Sequence, residues 1–174
     1  MKSKIAIWQL WGFASVSFLG TVLHFAYEWL DEAIWIAPFS GVNESTWEHM
    51  KLMFWPMILF AVIQSFFFKD RSDFPCVKLL GALVGIGLIP TLFYGYNALI
   101  GKSPDWINIA IFFISAAAAY ILEARLLQKS RTVCKHPHIA TLILILLAVL
   151  FVLFTFKAPK LPIFLDPITN KYGI

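Results

Sequence analysis

Runs of apolar residues recur from one end of this chain to the other. Several are about 20 residues long, the length a helix needs to cross a hydrocarbon core roughly 30 Å thick. Inside lipid every backbone N–H and C=O must be satisfied within its own segment, so runs of this length are read as helices. The spans expected are 5–30, 44–68, 75–99, 104–128 and 137–156. The residues between them are too few for a separate soluble domain, and 60% hydrophobic against 14% charged residues, with a mean hydropathy of +0.77, lies outside the soluble range. The expectation is all-α: residues 1–174 as one polytopic membrane bundle of about five transmembrane helices, with 157–174 as a strap over the outer mouth. The first run follows Lys2 and Lys4 but ends in HFAYEWLDE, not in small residues suited to cleavage, so it reads as a retained span and not a signal peptide.

Basic residues set the orientation. Lys2, Lys4, Lys69, Arg71, Lys78, Arg125, Lys129, Arg131 and Lys135 fall on one side, against Lys51, Lys102, Lys157, Lys160 and Lys171 on the other. Nine against five puts the N-terminus in the cytoplasm and, after an odd number of spans, the C-terminus outside. The chain is expected in a bacterial cytoplasmic membrane. Its net charge of +4 suits anionic lipid heads and implies no nucleic acid. Cys76 and Cys134 are far apart beside basic loops and read as reduced bystanders, in neither a disulfide nor a metal-ligand spacing.

Between the first two spans DEAIWIAPFSGV is too short to cross and too apolar for an ordinary loop, so it reads as an interfacial lid anchored by Trp29, Trp35 and Trp47. The small residues of GALVG (81–85) and SAAAAY (115–120) allow close helix approach, within the monomer or along a homodimer seam.

The unusual chemistry gathers at the outer end. Glu28 follows His24 by four residues, which puts an imidazole and a carboxylate on one helix face. In NESTWEH, Glu44 and Glu48 are four apart, as are Ser45 and His49, and Asn43 precedes them. A short connection makes the two helices antiparallel neighbours with these ends level. Ionisable groups within a span cost roughly 2.5 to 3.5 kcal/mol each on insertion scales, so such a cluster calls for a compensating partner. Imidazoles and carboxylates suit a divalent transition metal, zinc above all, and three ligands with an open position is the catalytic pattern. His24, Glu28 and His49 are the expected ligands, with Glu48 or Glu44 as a further ligand or general base.

Ser45 and Asn43, with Tyr94, Asn97 and Asp166 from other outer segments, are candidates for holding substrate. A plainer account covers part of this set: Ser45 or Asn43 as N-cap, STWE as a capping box and Glu48 as a first-turn acid explain those residues without a site. It leaves His49, His24 and Glu28 unexplained. KHPH, with His136 and His138, reads as a solvated loop, and Glu123 and Arg125 as snorkelling to the inner surface.

With HFAYEW, NESTWEH followed by KLMFWP, and a closing YGI, the chain resembles a family of small uncharacterised bacterial polytopic membrane proteins along nearly its whole length. Ser45 and His49 are in addition similar to the serine-and-histidine element of the alkaline ceramidase and adiponectin-receptor group of membrane hydrolases, where it belongs to a zinc site. That group carries more spans and a later histidine pair that this chain lacks, so the similarity implies shared chemistry, not a shared fold.

The leading expectation is a metal-dependent membrane hydrolase opening outward, with a lipid or lipid-linked amide or ester entering beneath the Trp-rich connection. One rival is a dimeric cation or proton-coupled solute transporter using the same side chains on a small-molecule ligand. Another is an assembly subunit without chemistry.

Overall fold

Among the described residues five α-helices form on the apolar runs: α1 Lys2–Trp29, α2 Thr46–Ser65, α3 Phe74–Leu99, α4 Asp105–Gln128 and α5 Pro137–Phe156. A 3-10 turn, Pro162–Phe164, follows in the tail. The computed structural model describes residues 2–129 and 132–174. Arg131, counted above among the inner basic residues, lies outside the described residues.

The helix ends follow local chemistry. At the start of α2 the Ser45 hydroxyl accepts the Glu48 N–H (3.4 Å). Both α3 and α5 carry proline in the first turn, where a missing N–H costs nothing. The chain leaves α1 through Asp31 and Glu32, both left-handed (φ 51° and 56°), and leaves α3 through Gly101 at φ 112°. Among the described residues no named strand occurs, only an isolated bridge between Leu165 and Tyr172.

Four of the helices, α1, α3, α4 and α5, are long and apolar enough to cross a membrane. The exception is α2, whose first turns carry Glu48, His49 and Lys51. Met50 through Phe54 are all buried, and five consecutive residues cannot share one face of a helix, so α2 is enclosed on every side along this stretch, while Leu59, Val62 and Ile63 further on are exposed. Packing runs α1 on α2, α2 on α3, α3 on α4 and α4 back on α1, while α5 leans on α3 and α2 from outside. Leu142, Ile145, Leu146 and Val149 of α5 stay exposed, an apolar face suited to lipid.

The small residues are used inside the chain. A Cβ on Gly12 would strike the Tyr120 ring, and one on Gly85 would press on Ala119 and Met53. Val16, Met53, Phe54, Ala116 and Ala119 fill the centre with no exposed surface.

Several expectations are corrected. Cys76 and Cys134 are joined in a disulfide, Cα atoms 6.2 Å apart across a separation of 58 residues. The loop after α4 is drawn to the foot of α3, where Asp73 accepts the Val133 N–H (2.7 Å) and Arg71 donates to the Leu127 carbonyl (2.8 Å). Glu123 does not snorkel: it is fully buried against Lys78 at 2.5 Å, so neither belongs to a surface. Lys51, assigned to the outer surface, is fully buried too. Trp47 is no interfacial anchor, because its ring packs in tilted and edge-on contacts among Phe151, Phe154 and Phe164. Trp29 and Trp35 do lie exposed.

Candidate metal centre

The lid segment folds back tightly on α1 and α2. Ser40 is fully buried, its hydroxyl accepting the Tyr27 N–H (2.9 Å) and donating to the Leu23 carbonyl, which also takes the Gly41 N–H (3.1 Å). Trp55 donates to the Pro38 carbonyl (2.9 Å) and Lys51 to that of Ala37 (2.8 Å). Residues 41–45 are thereby held beside the last turns of α1, and Glu44 is brought between the rings of His24 and His49.

One Glu44 oxygen lies 3.6 Å from His24 Nε2 and the other 3.6 Å from His49 Nε2. The ring centroids are 5.5 Å apart. One ligand atom from each residue fits a group in which all lie within 4.8 Å of one another. Two ligands each roughly 2.05 Å from a tetrahedral zinc stand about 3.4 Å apart, and each imidazole is close to that spacing from its own Glu44 oxygen.

The tautomer of His49 agrees with ligation. His49 Nδ1 lies 2.9 Å from the Ser45 carbonyl, which can only accept, so Nδ1 carries the proton and Nε2 presents its lone pair toward Glu44. A backbone carbonyl on one ring nitrogen is the usual way a ligating histidine is oriented for a metal on the other. The His24 imidazole beside Glu44 holds its carboxyl below the ordinary carboxylate value, and an ionised carboxylate is the ligand form. A cleft of about 200 Å³ opens beside the group, lined by His24, Tyr27, Glu28, Glu32, Asn43 and Glu44 among others.

The other candidates fall elsewhere. Glu28 is not in the ligand group: it lies one turn further out along α1, exposed, on the cleft wall. Glu44 takes the position expected of it, because the reversal at Asp31 and Glu32 returns the chain across the end of α1. Glu48, expected as ligand or base, is turned inward at 2% exposure, 2.5 Å from Lys51 Nζ, and accepts the Val42 N–H (3.1 Å). Ser45 is spent as the α2 cap, and its own N–H is bound by the Asn43 side chain (2.9 Å).

Asn43 also donates to the Gly173 carbonyl (3.1 Å), which ties the tail down beside the cleft. Asp166 is buried and organises the turn of that tail, accepting from the Ile168 N–H and the Thr169 hydroxyl. Asn97 closes the α3–α4 turn by accepting the Ser103 N–H (2.8 Å). Tyr94 reaches α2 through a long contact with the Thr46 hydroxyl (3.4 Å). Tyr27 and Glu32 on the cleft wall were not anticipated; the break after α1 hides Glu32 from any helical spacing rule.

A family model matches residues 1–174, that of a family of unknown function (DUF6512). No curated protein and no solved structure matches the chain.

Proposed function

We propose that this chain, which belongs to the DUF6512 family of unknown function along its whole length, binds a divalent transition metal, zinc in first place, at His24, Glu44 and His49. On this reading it is a hydrolase of a lipid or lipid-linked ester or amide, with the cleft open to the outer side of a bacterial cytoplasmic membrane. The membrane would be crossed five times, α2 included, with the N-terminus inside. Lys51 and Lys78, both buried, leave the basic count as one from each side, so the inner excess is unchanged.

The observation that supports the reading most is the pair of imidazole Nε2 atoms converging on one ionised carboxylate, with His49 Nδ1 already bound to Ser45. Three protein ligands leave a fourth position toward the cleft. Water there would be acidified, and Glu28 or Glu32 could take its proton as hydroxide attacks the substrate carbonyl and return it to the leaving oxygen or nitrogen. Exposed Trp29 and Trp35 suit a lipid-facing approach.

The test is elemental analysis of protein purified in detergent and stripped of loosely held ions. About one metal per chain is expected in the wild type and none in His24→Ala or His49→Ala, while the double variant Glu28→Gln with Glu32→Gln keeps the metal and loses turnover of a lipid ester. Absence of metal from the wild type, or its retention in both histidine variants, overturns the assignment and leaves a bare ion pair at the mouth, as the transporter or assembly readings require.

A further inference from the structure

The inner half of the bundle holds a second polar group, on four helices, that the outer site does not use. Lys78 of α3 meets Glu123 Oε2 of α4 at 2.5 Å, and its ammonium lies 5.4 Å from the Tyr120 ring centroid. Tyr120 presses on Gly12 of α1, as does Phe60 of α2. One turn along from these contacts stand Gln9 on α1 and Gln64 on α2, the latter donating to the Trp8 carbonyl (3.3 Å). Gln9, Gln64, Lys78, Tyr120 and Glu123 are each at most 4% exposed.

Their hydrogen bonding is incomplete. Glu123 Oε1, the Tyr120 hydroxyl, Gln64 Oε1 and both amide atoms of Gln9 find no protein partner among the described residues. Left bare, five such buried atoms would cost a sum comparable to the stability of a whole domain. They include donors and acceptors that could satisfy one another through an intermediary, and a water molecule with two to four polar neighbours is the usual one. Gly81 gives the Glu123 carboxylate its room, since a Cβ there would collide with it.

We propose that water is held among these unpartnered atoms and that it makes the Lys78–Glu123 pair a store for an exchangeable proton. Passage of a proton from the Lys78 ammonium to Glu123 Oε2 breaks one N–H bond and forms one O–H bond. It turns the ion pair into a neutral amine and a neutral acid, with no change of net charge and no other reactant. An intramembrane acid paired with a lysine has this chemistry open to it wherever water reaches it.

Radiolytic hydroxyl-radical labelling of the full chain in lipid nanodiscs, read by mass spectrometry, tests the water. Tyr120 should label several-fold above Phe54, an equally buried aromatic with no polar neighbour of this kind, and Gln9→Leu should lower that excess. Labelling of Tyr120 no higher than Phe54 overturns the proposal. Infrared spectra test the proton: a protonated-carboxyl band that shifts in heavy water should be present in the wild type and missing in Glu123→Gln. A wild-type protein with no such band is equally fatal, and neither wild-type reading depends on a variant that folds.

Discussion

Two glutamates four residues apart have opposite fates. Glu48 is sealed beneath the lid against Lys51, whose ammonium also donates to the Ala37 carbonyl and the Thr155 hydroxyl (2.9 Å). Every hydrogen of that ammonium has a partner, and the network joins lid, α2 and α5. Glu44, 40% exposed, faces two imidazoles at distances too long for direct hydrogen bonds. A saturated buried pair holds structure, whereas an unsaturated, accessible group has capacity left for a ligand. Charge and spacing alone do not separate the two; saturation does.

The comparison breaks first at the metal. Glu44→Gln should lose the bound ion altogether, measured by elemental analysis, whereas Glu48→Gln should affect folding before it affects metal content in whatever protein is recovered; the reverse result would exchange their roles. Next in size is Lys51→Met, which leaves Glu48 buried and uncompensated and should cost about 3 to 5 kcal/mol in reversible denaturation. Adding Glu48→Leu to it should recover much of that loss, because a well-packed apolar pair can replace a buried ion pair.

Ser45→Ala should cost about 1 kcal/mol through the lost cap, with metal content unchanged since the His49 contact is to the backbone carbonyl. The smallest effect is one of pH. The Glu44 carboxyl lies below its ordinary value of 4.5 because of His24, so its contribution is complete above 4.5 and disappears as pH falls through the lowered folded value. In metal-free protein the Tm difference between wild type and Glu44→Gln should therefore close on acidification; a difference that widens contradicts the assignment.

How much of this is legible without coordinates depends on the range of the interaction. The bounds of α5, Pro137–Phe156, can be read directly, since proline opens the run and Lys157 with Pro159 closes it. The start of α2 shifts from 44 to 46 because the Asn43 and Glu44 side chains are engaged outside the helix. A four-residue spacing brought His24 and Glu28 to notice and was right about their shared face. It paired Glu44 with Glu48 and not with His24, which Glu44 reaches only through a reversal built on two left-handed residues. The plain account of Ser45 as a cap is the one the structure displays. Lys78 and Glu123, 45 residues apart, carry no local signal of their pairing, and neither do the two cysteines.

The bridge from Cys76 to Cys134 turns α3, α4 and their flanking turns into a covalent loop of chain. A protease cutting within the α3–α4 turn, near exposed Lys102, would therefore release nothing by itself. The two fragments would migrate as one band on a denaturing gel and separate only after a reductant is added. The same assay gives the redox state of this end of the protein in its own membrane, and with it the compartment that this end faces.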